Sequence, residues 1–196
     1  MAIQTACRKE ITHSILFDCD KLPIKGFASD GVIVNRADID FSAFTTVAPS
    51  AHVVSNFPML NDKTGYEVQQ PINDPYSGTQ ITMNEGTYYN TFNKELHLLI
   101  FGTDDTSRAE IADELANGEF VVILRKKEQD TTSYVIFGLD CGLKATEITQ
   151  DFYDDDTKGA IAATLTETDS PVFGHYLYAG SVAATEALLT SLVTGN

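Results

Sequence analysis

The part of the chain from His97 to Glu147 constrains the fold more than any other, because three consecutive elements can be recognised in it. The apolar run Leu98 to Phe101, closed by Gly102, predicts a strand buried on both faces. A short helix is predicted from about Ser107 to Asn117, and a long hairpin from Phe120 to Leu139. A strand, a single helix and a hairpin in this order favour a mainly β (α+β) fold in which the helix lies on a sheet.

The limits of the short helix follow from its residues. Ser107 and Glu110 have the spacing of a capping box, in which each side chain accepts a hydrogen bond from the other residue's backbone N–H. Ile111, Ala112, Leu115 and Ala116 form one narrow apolar stripe on an otherwise polar helix. Gly118 occupies the position where a left-handed residue commonly ends a helix, and it predicts that conformation here.

Further elements are predicted on both sides of this stretch. The C-terminal residues predict an amphipathic helix from Val182 to Val193, capped by Ser181. Strands are predicted at Ile11 to Phe17, Gly31 to Val34, Leu143 to Thr149 and Ala160 to Thr166. The length of 196 residues predicts one domain that spans the whole chain, residues 1–196.

The segment from Thr45 to Asn93 has a different composition, with four prolines and many Asn and Asp residues. Only Ala51 to Ser55, Tyr66 to Gln69 and Gln80 to Met83 predict strands there, and loops this long are usually functional or ordered by a partner. Large apolar side chains on such a loop need a cover. We expect part of the segment to pack on a neighbouring subunit, or else to fold back on its own sheet. The candidate inter-subunit contacts are Phe57, Leu60, Tyr66, Tyr76, Tyr88 and Tyr89.

Charge and cysteine content exclude several classes of protein. The formal charge of −15 predicts repulsion from nucleic acid and anionic membranes, whose binding needs clustered Lys and Arg. The N-terminal residues lack the apolar core of a signal peptide, and no apolar run is long enough to span a membrane. Cys7, Cys19 and Cys141 show no metal-binding spacing and are predicted to be reduced thiols.

Catalytic and ligand-binding patterns are weak. Cys141 beside Asp140, with His97 or His175 brought in by folding, is the best available nucleophile, base and orienting group, but no strained turn is expected around Cys141. The acidic turn from Asp151 to Gly159 does not have the spacing of a calcium loop, and no glycine-rich phosphate loop occurs. The sequence therefore predicts no catalytic, cofactor-binding or metal-binding residues, and no cofactor.

The layout from about residue 30 to residue 170 resembles the major tail tube proteins of long-tailed bacteriophages, in particular a type found in phages of Bacteroidetes-like hosts. The features that carry the resemblance are a strand ending at Val34-Asn35 before Asp38-Ile39, the long loop after Thr45, the passage from Leu98 to Leu124, and the segments Tyr134 to Leu139 and Cys141 to Glu147. The resemblance implies a β-sandwich or barrel-like sheet pair with one flanking helix and a long inter-subunit loop at 45–93. The segment 175–196 falls outside the shared core, as an arm or a surface helix.

The same resemblance implies a structural virion protein and no catalytic residues. Six copies would form a ring, and stacked rings would form the tail tube that conducts DNA during ejection without binding it specifically, past an acidic wall. The implied partners are further copies and other tail proteins (tape measure, terminator, baseplate), with no membrane, and the implied location is the virion tail, assembled in the host cytoplasm. A tail terminator, a neck protein or the inner-tube subunit of an injection device would share most features, and an enzyme of unrecognised type is a further alternative.

Overall fold

Two β-sheets and two α-helices make up the chain in a computed structural model that describes residues 11–20, 22–48, 50–102, 104, 106–128 and 130–195. The strands are β1 (Phe27–Asn35), β2 (Val53–Val54), β3 (Tyr66–Gln69), β4 (Gln80–Asn84), β5 (Thr91–Ile100), β6 (Phe120–Lys126), β7 (Tyr134–Phe137), β8 (Lys144–Gln150), β9 (Ile161–Ser170) and β10 (His175–Leu177). The helices are α1 (Ile111–Asn117) and α2 (Val182–Thr194). The predicted fold class, a mainly β sandwich with flanking helix, is confirmed.

The first sheet has six strands in the order β2-β10-β7-β6-β1-β3, and the second has four in the order β4-β5-β9-β8. All pairs are antiparallel except β2 with β10. Side chains from both sheets meet in one apolar core, which includes Val122 and Leu124 of β6, Leu96 of β5 and Leu165 of β9. The six-stranded sheet is therefore covered on this face by the four-stranded sheet.

The opposite face of the six-stranded sheet is also covered. Val121 and Ile123 of β6 point into a second apolar core, which includes Leu192 of α2 and also Phe57 from the segment between β2 and β3. The predicted C-terminal helix is confirmed to within one residue, and the Ser181 hydroxyl caps it by accepting a hydrogen bond from the Ala184 N–H. The six-stranded sheet is thus the middle layer of three.

The continuous apolar run that is buried on both faces belongs to β6 and not to the region from Leu98 to Phe101. In β5, Leu96 and Leu98 are buried, whereas Leu99 and Ile100 are half-buried, and Phe101 lies beyond the strand with 49% of its surface exposed. The four-stranded sheet has only one covered face, which is why this prediction was wrong. The predicted hairpin is confirmed as β6 and β7, and the predicted strand pair near residues 143–166 as β8 and β9.

The predicted short helix is confirmed in extent, as a π-helical turn from Thr106 to Glu110 that continues into α1. The predicted capping box rests on Ser107, whose side chain lies outside the described residues. The left-handed conformation predicted for Gly118 was wrong, because its φ is −93°. A Cβ at this position would overlap the ring of Phe120, so the glycine is needed for a close approach and not for a special dihedral.

The strand predicted from Ile11 to Phe17 was wrong. These residues pair with no strand in the described part of the chain, and Ile11, Ile15, Leu16 and Phe17 each expose 82–90% of their surface. The neighbouring prediction, Gly31 to Val34, is confirmed inside β1. The two sheets of the described chain supply no edge to which these residues pair.

Within residues 45–93 the three short predicted strands are confirmed as β2, β3 and β4, although β2 has only two residues. Part of the segment folds back on its own body, because Phe57 and Tyr76 are only 3% and 4% exposed in the two cores. Leu60, Tyr66, Tyr88 and Tyr89 remain 45–93% exposed. The segment is therefore divided between intramolecular packing and surface.

Candidate functional site

Three regions of the described chain expose large apolar side chains close together in sequence. Residues 11–24 expose Ile11, Ile15, Leu16, Phe17, Leu22 and Ile24. The hairpin of β4 and β5 exposes Met83, Tyr88 and Tyr89 at and near its tip, and the loop before β9 exposes Phe152 and Tyr153. Scattered apolar residues are normal on a protein surface, but a run of six within fourteen positions needs a partner to cover it.

An open cavity of about 760 Å³ lies between β3, the C-terminal end of β5 and α1. We call it the β3 groove. Six of its lining residues belong to the core between the sheets: Ile33, Val68, Leu98, Ile100, Leu115 and Phe120. The groove is thus a place where the sandwich core is not closed.

The charge of the β3 groove is negative. Its lining residues include Glu67 and Glu114 and no Lys or Arg among the described residues, and Glu67 contributes from β3 itself, since its side chain lies on the other face of that strand from Val68. In this part of the chain, β3 pairs with β1 alone, so the outer edge of β3 carries backbone groups without a strand partner. The groove offers an added strand both an edge and an apolar cavity.

The six predicted inter-subunit contacts are not brought together. Tyr66 lines the β3 groove, Tyr88 and Tyr89 lie between β4 and β5, and Leu60 lies on a turn. Phe57 and Tyr76 have almost no surface left for a partner, because their own sheets cover them. The sequence did not predict the exposure of the N-terminal residues or the groove. The strand predicted from Ile11 to Phe17 is the one signal in sequence for the first, and the groove has none.

A buried ionic cluster lies at the other end of β5. Lys94 and Glu167 are fully buried cross-strand partners, and the Lys94 Nζ lies 3.0 Å from the Glu167 Oε2. The Glu167 carboxylate also accepts hydrogen bonds from the backbone N–H groups of Gly138, Asp140 and Cys141, at 3.0, 3.0 and 2.8 Å. These three residues form the turn that carries the chain from β7 in one sheet toward β8 in the other. Glu167 therefore fastens the crossing between the sheets.

Asp140 extends this cluster. Its carboxylate accepts hydrogen bonds from the Ser170 hydroxyl at 2.7 Å and from the His175 Nε2 at 2.9 Å, and it lies 3.4 Å from the Lys94 Nζ. Burial alone would raise the pKa of Asp140, but the hydrogen bonds from His175 and Ser170 and the charges of His175 and Lys94 outweigh it. The pKa of Asp140 is consequently held well below its usual range, so that this carboxylate is ionised at neutral pH.

The residues that the sequence offered as a catalytic set are only partly assembled. Asp140 meets His175, but His97 lies elsewhere, 3.1 Å from the Glu95 carboxylate. The Cys141 sulfur lies 3.8 Å from the Asp169 carbonyl oxygen. Burial, together with the charges of Glu167 and Asp140, raises the pKa of the Cys141 thiol. A thiol with a raised pKa holds its proton at neutral pH, which is the opposite of an activated nucleophile.

The turn around Cys141 depends on glycine. Gly138 and Gly142 both have positive φ, at 84° and 78°, a region that favours glycine. A Cβ on Gly138 would also overlap the backbone of Phe120. Glycine adopts these conformations without strain, so the turn is tight but not strained, and its geometry points three N–H groups at Glu167.

The described residues contain no group of three or more His, Cys, Asp and Glu side chains placed to hold a metal ion. In the acidic loop, the Asp154 carboxylate is occupied by the Asp156 N–H and the Thr157 hydroxyl. Cys19 and Cys141 are unpaired thiols, and Cys7 lies outside the described residues. Neither helix of the described chain has the length and apolar character needed to cross a bilayer.

Comparison with profiles of known protein families, with curated proteins and with solved structures finds no match. The surface and the chemistry of the chain itself must therefore carry any functional conclusion.

Proposed function

We propose that the chain is a structural subunit that assembles with copies of itself into rings, and that stacked rings form a phage tail tube through which DNA passes. The observation that carries this proposal is the exposed N-terminal segment, whose apolar side chains are left uncovered by the chain's own sheets. Such a surface is an aggregation hazard on a lone molecule and is stable when a second copy covers it. Hexameric rings are what the likeness to tail tube proteins implies.

The edges of both sheets support assembly. β3 is unpaired on one side in the six-stranded sheet, and β4 and β8 are the outer strands of the four-stranded sheet. Unpaired edges invite association with other strands, and a closed ring removes them without producing an open fibre. Assembly into a ring would therefore account for these unpaired strand edges, which a monomeric protein would have to cover or shorten.

The charge distribution suits a DNA conduit. Residues 26–196 carry 25 acidic and nine basic residues, so the folded body is strongly acidic. Each phosphate contact made by a Lys or Arg would add affinity and retard DNA, whereas an acidic wall avoids such contacts. Placement in a virion tail, assembly in the host cytoplasm and association with other tail proteins belong to the same proposal.

The first test is the state of the purified full-length chain, followed by light scattering and negative-stain electron microscopy over a range of salt concentrations. Tubes of uniform diameter are the expected result. Isolated rings would favour a terminator or neck protein, and a strictly monomeric chain at every salt concentration would refute self-assembly.

A matched pair of substitutions tests which surface drives assembly. Phe17 and Phe152 are both exposed phenylalanines, at 82% and 72%. Phe17→Ser is expected to shift the chain toward smaller species, because it removes an apolar contact of the N-terminal segment. Phe152→Ser lies in an acidic loop and is expected to leave the size distribution unchanged. Equal effects of the two substitutions would show that the N-terminal segment has no special role.

A further inference from the structure

The N-terminal segment has the pattern of a strand that lacks a sheet. Ile11, His13, Ile15 and Phe17 alternate with Thr12, Ser14, Leu16 and Asp18, so that three of four positions on one face are apolar. The same residues pair with no strand in the described chain and are almost fully exposed. A segment with this alternation needs the edge of a sheet and an apolar surface beside it.

The β3 groove offers both. The side chain of Val68 points into the core between the sheets, whereas Glu67 and Gln69 lie on the outer face of β3. A strand added beside β3 would place its apolar face next to Val68, over the open part of the core. Its polar face would lie beside Glu67 and Gln69.

The strand also adds no like charge to this acidic edge. Residues 1–25 carry four basic and three acidic residues, whereas the remainder of the chain carries nine basic and 25 acidic ones. These basic residues, Arg8, Lys9, Lys21 and Lys25, flank the proposed strand, and residues 11–17 contain no Asp or Glu, so the strand itself brings no carboxylate to the acidic edge. The edge of β3 and its groove include Glu67 and Glu114 and no Lys or Arg among the described residues.

The path of the chain favours a second copy over the chain's own segment. The Ile24 N–H donates to the Glu128 carboxylate at 2.8 Å, and the Lys127 N–H donates to the Gly26 carbonyl. Both contacts hold the start of β1 against the β6–β7 hairpin, and β1 separates β6 from β3 in the sheet. The segment thus departs on the side away from β3, and it would have to cross β1 to reach the groove of its own chain.

We propose that residues 11–17 of one copy add as a strand to the free edge of β3 in a neighbouring copy, with Ile15 and Phe17 entering the β3 groove. This inference rests on the proposed self-assembly and names the surfaces that carry it. The neighbouring copy completes a sandwich that is open at this edge in the single chain.

Disulfide trapping between different chains tests the proposal. In a full-length background with Cys7, Cys19 and Cys141 changed to Ser, one chain carries Ser14→Cys and a second carries Gln69→Cys. Gln80→Cys on β4 is the matched control, because Gln69 and Gln80 are both exposed glutamines on outer strands of their sheets. Thr12→Cys in the first chain and Glu67→Cys in the second test the same pairing with the two strands shifted by two residues. The chains are mixed, assembled, mildly oxidised and separated without reductant, and the melting curve of each chain verifies that it is folded.

A disulfide forms only when the two Cα atoms approach within roughly 7 Å. We expect the chain with Ser14→Cys to form a cross-linked dimer with the chain that carries Gln69→Cys. No such dimer is expected when the second chain carries Gln80→Cys instead. Oligomers that cross-link to β4, or to neither edge, would overturn the proposed pairing and leave self-assembly standing. A chain carrying both Ser14→Cys and Gln69→Cys that forms only an internal disulfide would also overturn it. Absence of any oligomer would overturn both proposals.

Discussion

Replacing Glu167 by Gln tests whether the buried ionic cluster fastens the crossing between the two sheets. The two carboxylate oxygens accept three hydrogen bonds and form one ion pair, with Oε2 facing the Gly138 N–H and Lys94, and Oε1 facing the N–H groups of Asp140 and Cys141. An amide has one acceptor oxygen and one donor NH₂ group. Whichever way the amide is turned, its NH₂ faces two donors, so two favourable contacts become repulsive.

The magnitude follows from the same contacts. Removing one partner of a buried ion pair typically costs about 3–5 kcal/mol, because a buried charge is left without compensation. Glu167→Gln leaves the fully buried Lys94 with Asp140 at 3.4 Å as its remaining carboxylate neighbour in this cluster. Lys94→Met leaves the Glu167 charge with three N–H donors, so we expect a smaller loss, on the order of 1.5–3 kcal/mol for one hydrogen bond to a charged group.

Urea denaturation followed by far-UV circular dichroism measures both losses at one protein concentration. For a chain of this length about 3–5 kcal/mol corresponds to a fall in Tm of roughly 6–20 °C. The control is Lys144→Met, because Lys144 is 64% exposed and lies 3.6 Å from the Glu119 carboxylate. Its effect should stay within about 0.5 kcal/mol. If Glu167→Gln proved no more destabilising than Lys94→Met, the backbone N–H groups would not be the main partners of this carboxylate.

Three further predictions concern stability. Because the pKa of Asp140 is lowered in the folded state, this carboxylate stabilises the fold above its unfolded pKa of about 3.9, and the stabilisation is lost as the pH falls below that value. Asp140→Asn should therefore reduce the loss of stability measured at acid pH. Burial raises the pKa of Tyr134 to about 12, so stability that is complete below the unfolded value of about 10 should fall as the pH rises toward 12, and Tyr134→Phe should reduce this alkaline loss. Gly118→Ala should cost about 1–3 kcal/mol in urea denaturation because its Cβ meets the Phe120 ring, and Phe120→Leu in the same chain should lessen that specific penalty.

Local patterns in the sequence predicted most elements because their causes are local. Ser181 caps α2 through a hydrogen bond to a residue three positions away, and the hairpin of β6 and β7 is limited by polar turn residues. The burial of Leu98 to Phe101 could not be predicted in the same way. Which apolar run lies in the middle layer depends on α2 and on Phe57, which reach the sheet from distant parts of the chain.

The candidate site was predicted less well than the fold, since it depends on contacts between distant residues. Lys94 and Glu167 are 73 positions apart, and nothing in either neighbourhood marks them as a buried pair. The β3 groove lies where β3, β5 and α1 leave part of the core uncovered. The sequence of any one of these elements does not reveal such a gap. Only residues 11–17 drew a prediction in advance, and the strand predicted there is not formed in the described chain.

The ionic cluster and the β3 groove lie at opposite ends of β5. Lys94 lies near its first residues, in the ionic cluster, and Leu98 and Ile100 line the groove near its last ones. At about 3.3 Å per residue these sites are roughly 13–20 Å apart, far enough for substitutions at the two ends to act independently. Glu167→Gln should therefore lower Tm without changing which edge residue 14 cross-links to, whereas Phe17→Ser should weaken assembly without lowering the Tm of the dissociated chain. Coupling between these effects would mean that the groove forms only when the cluster at the far end is intact.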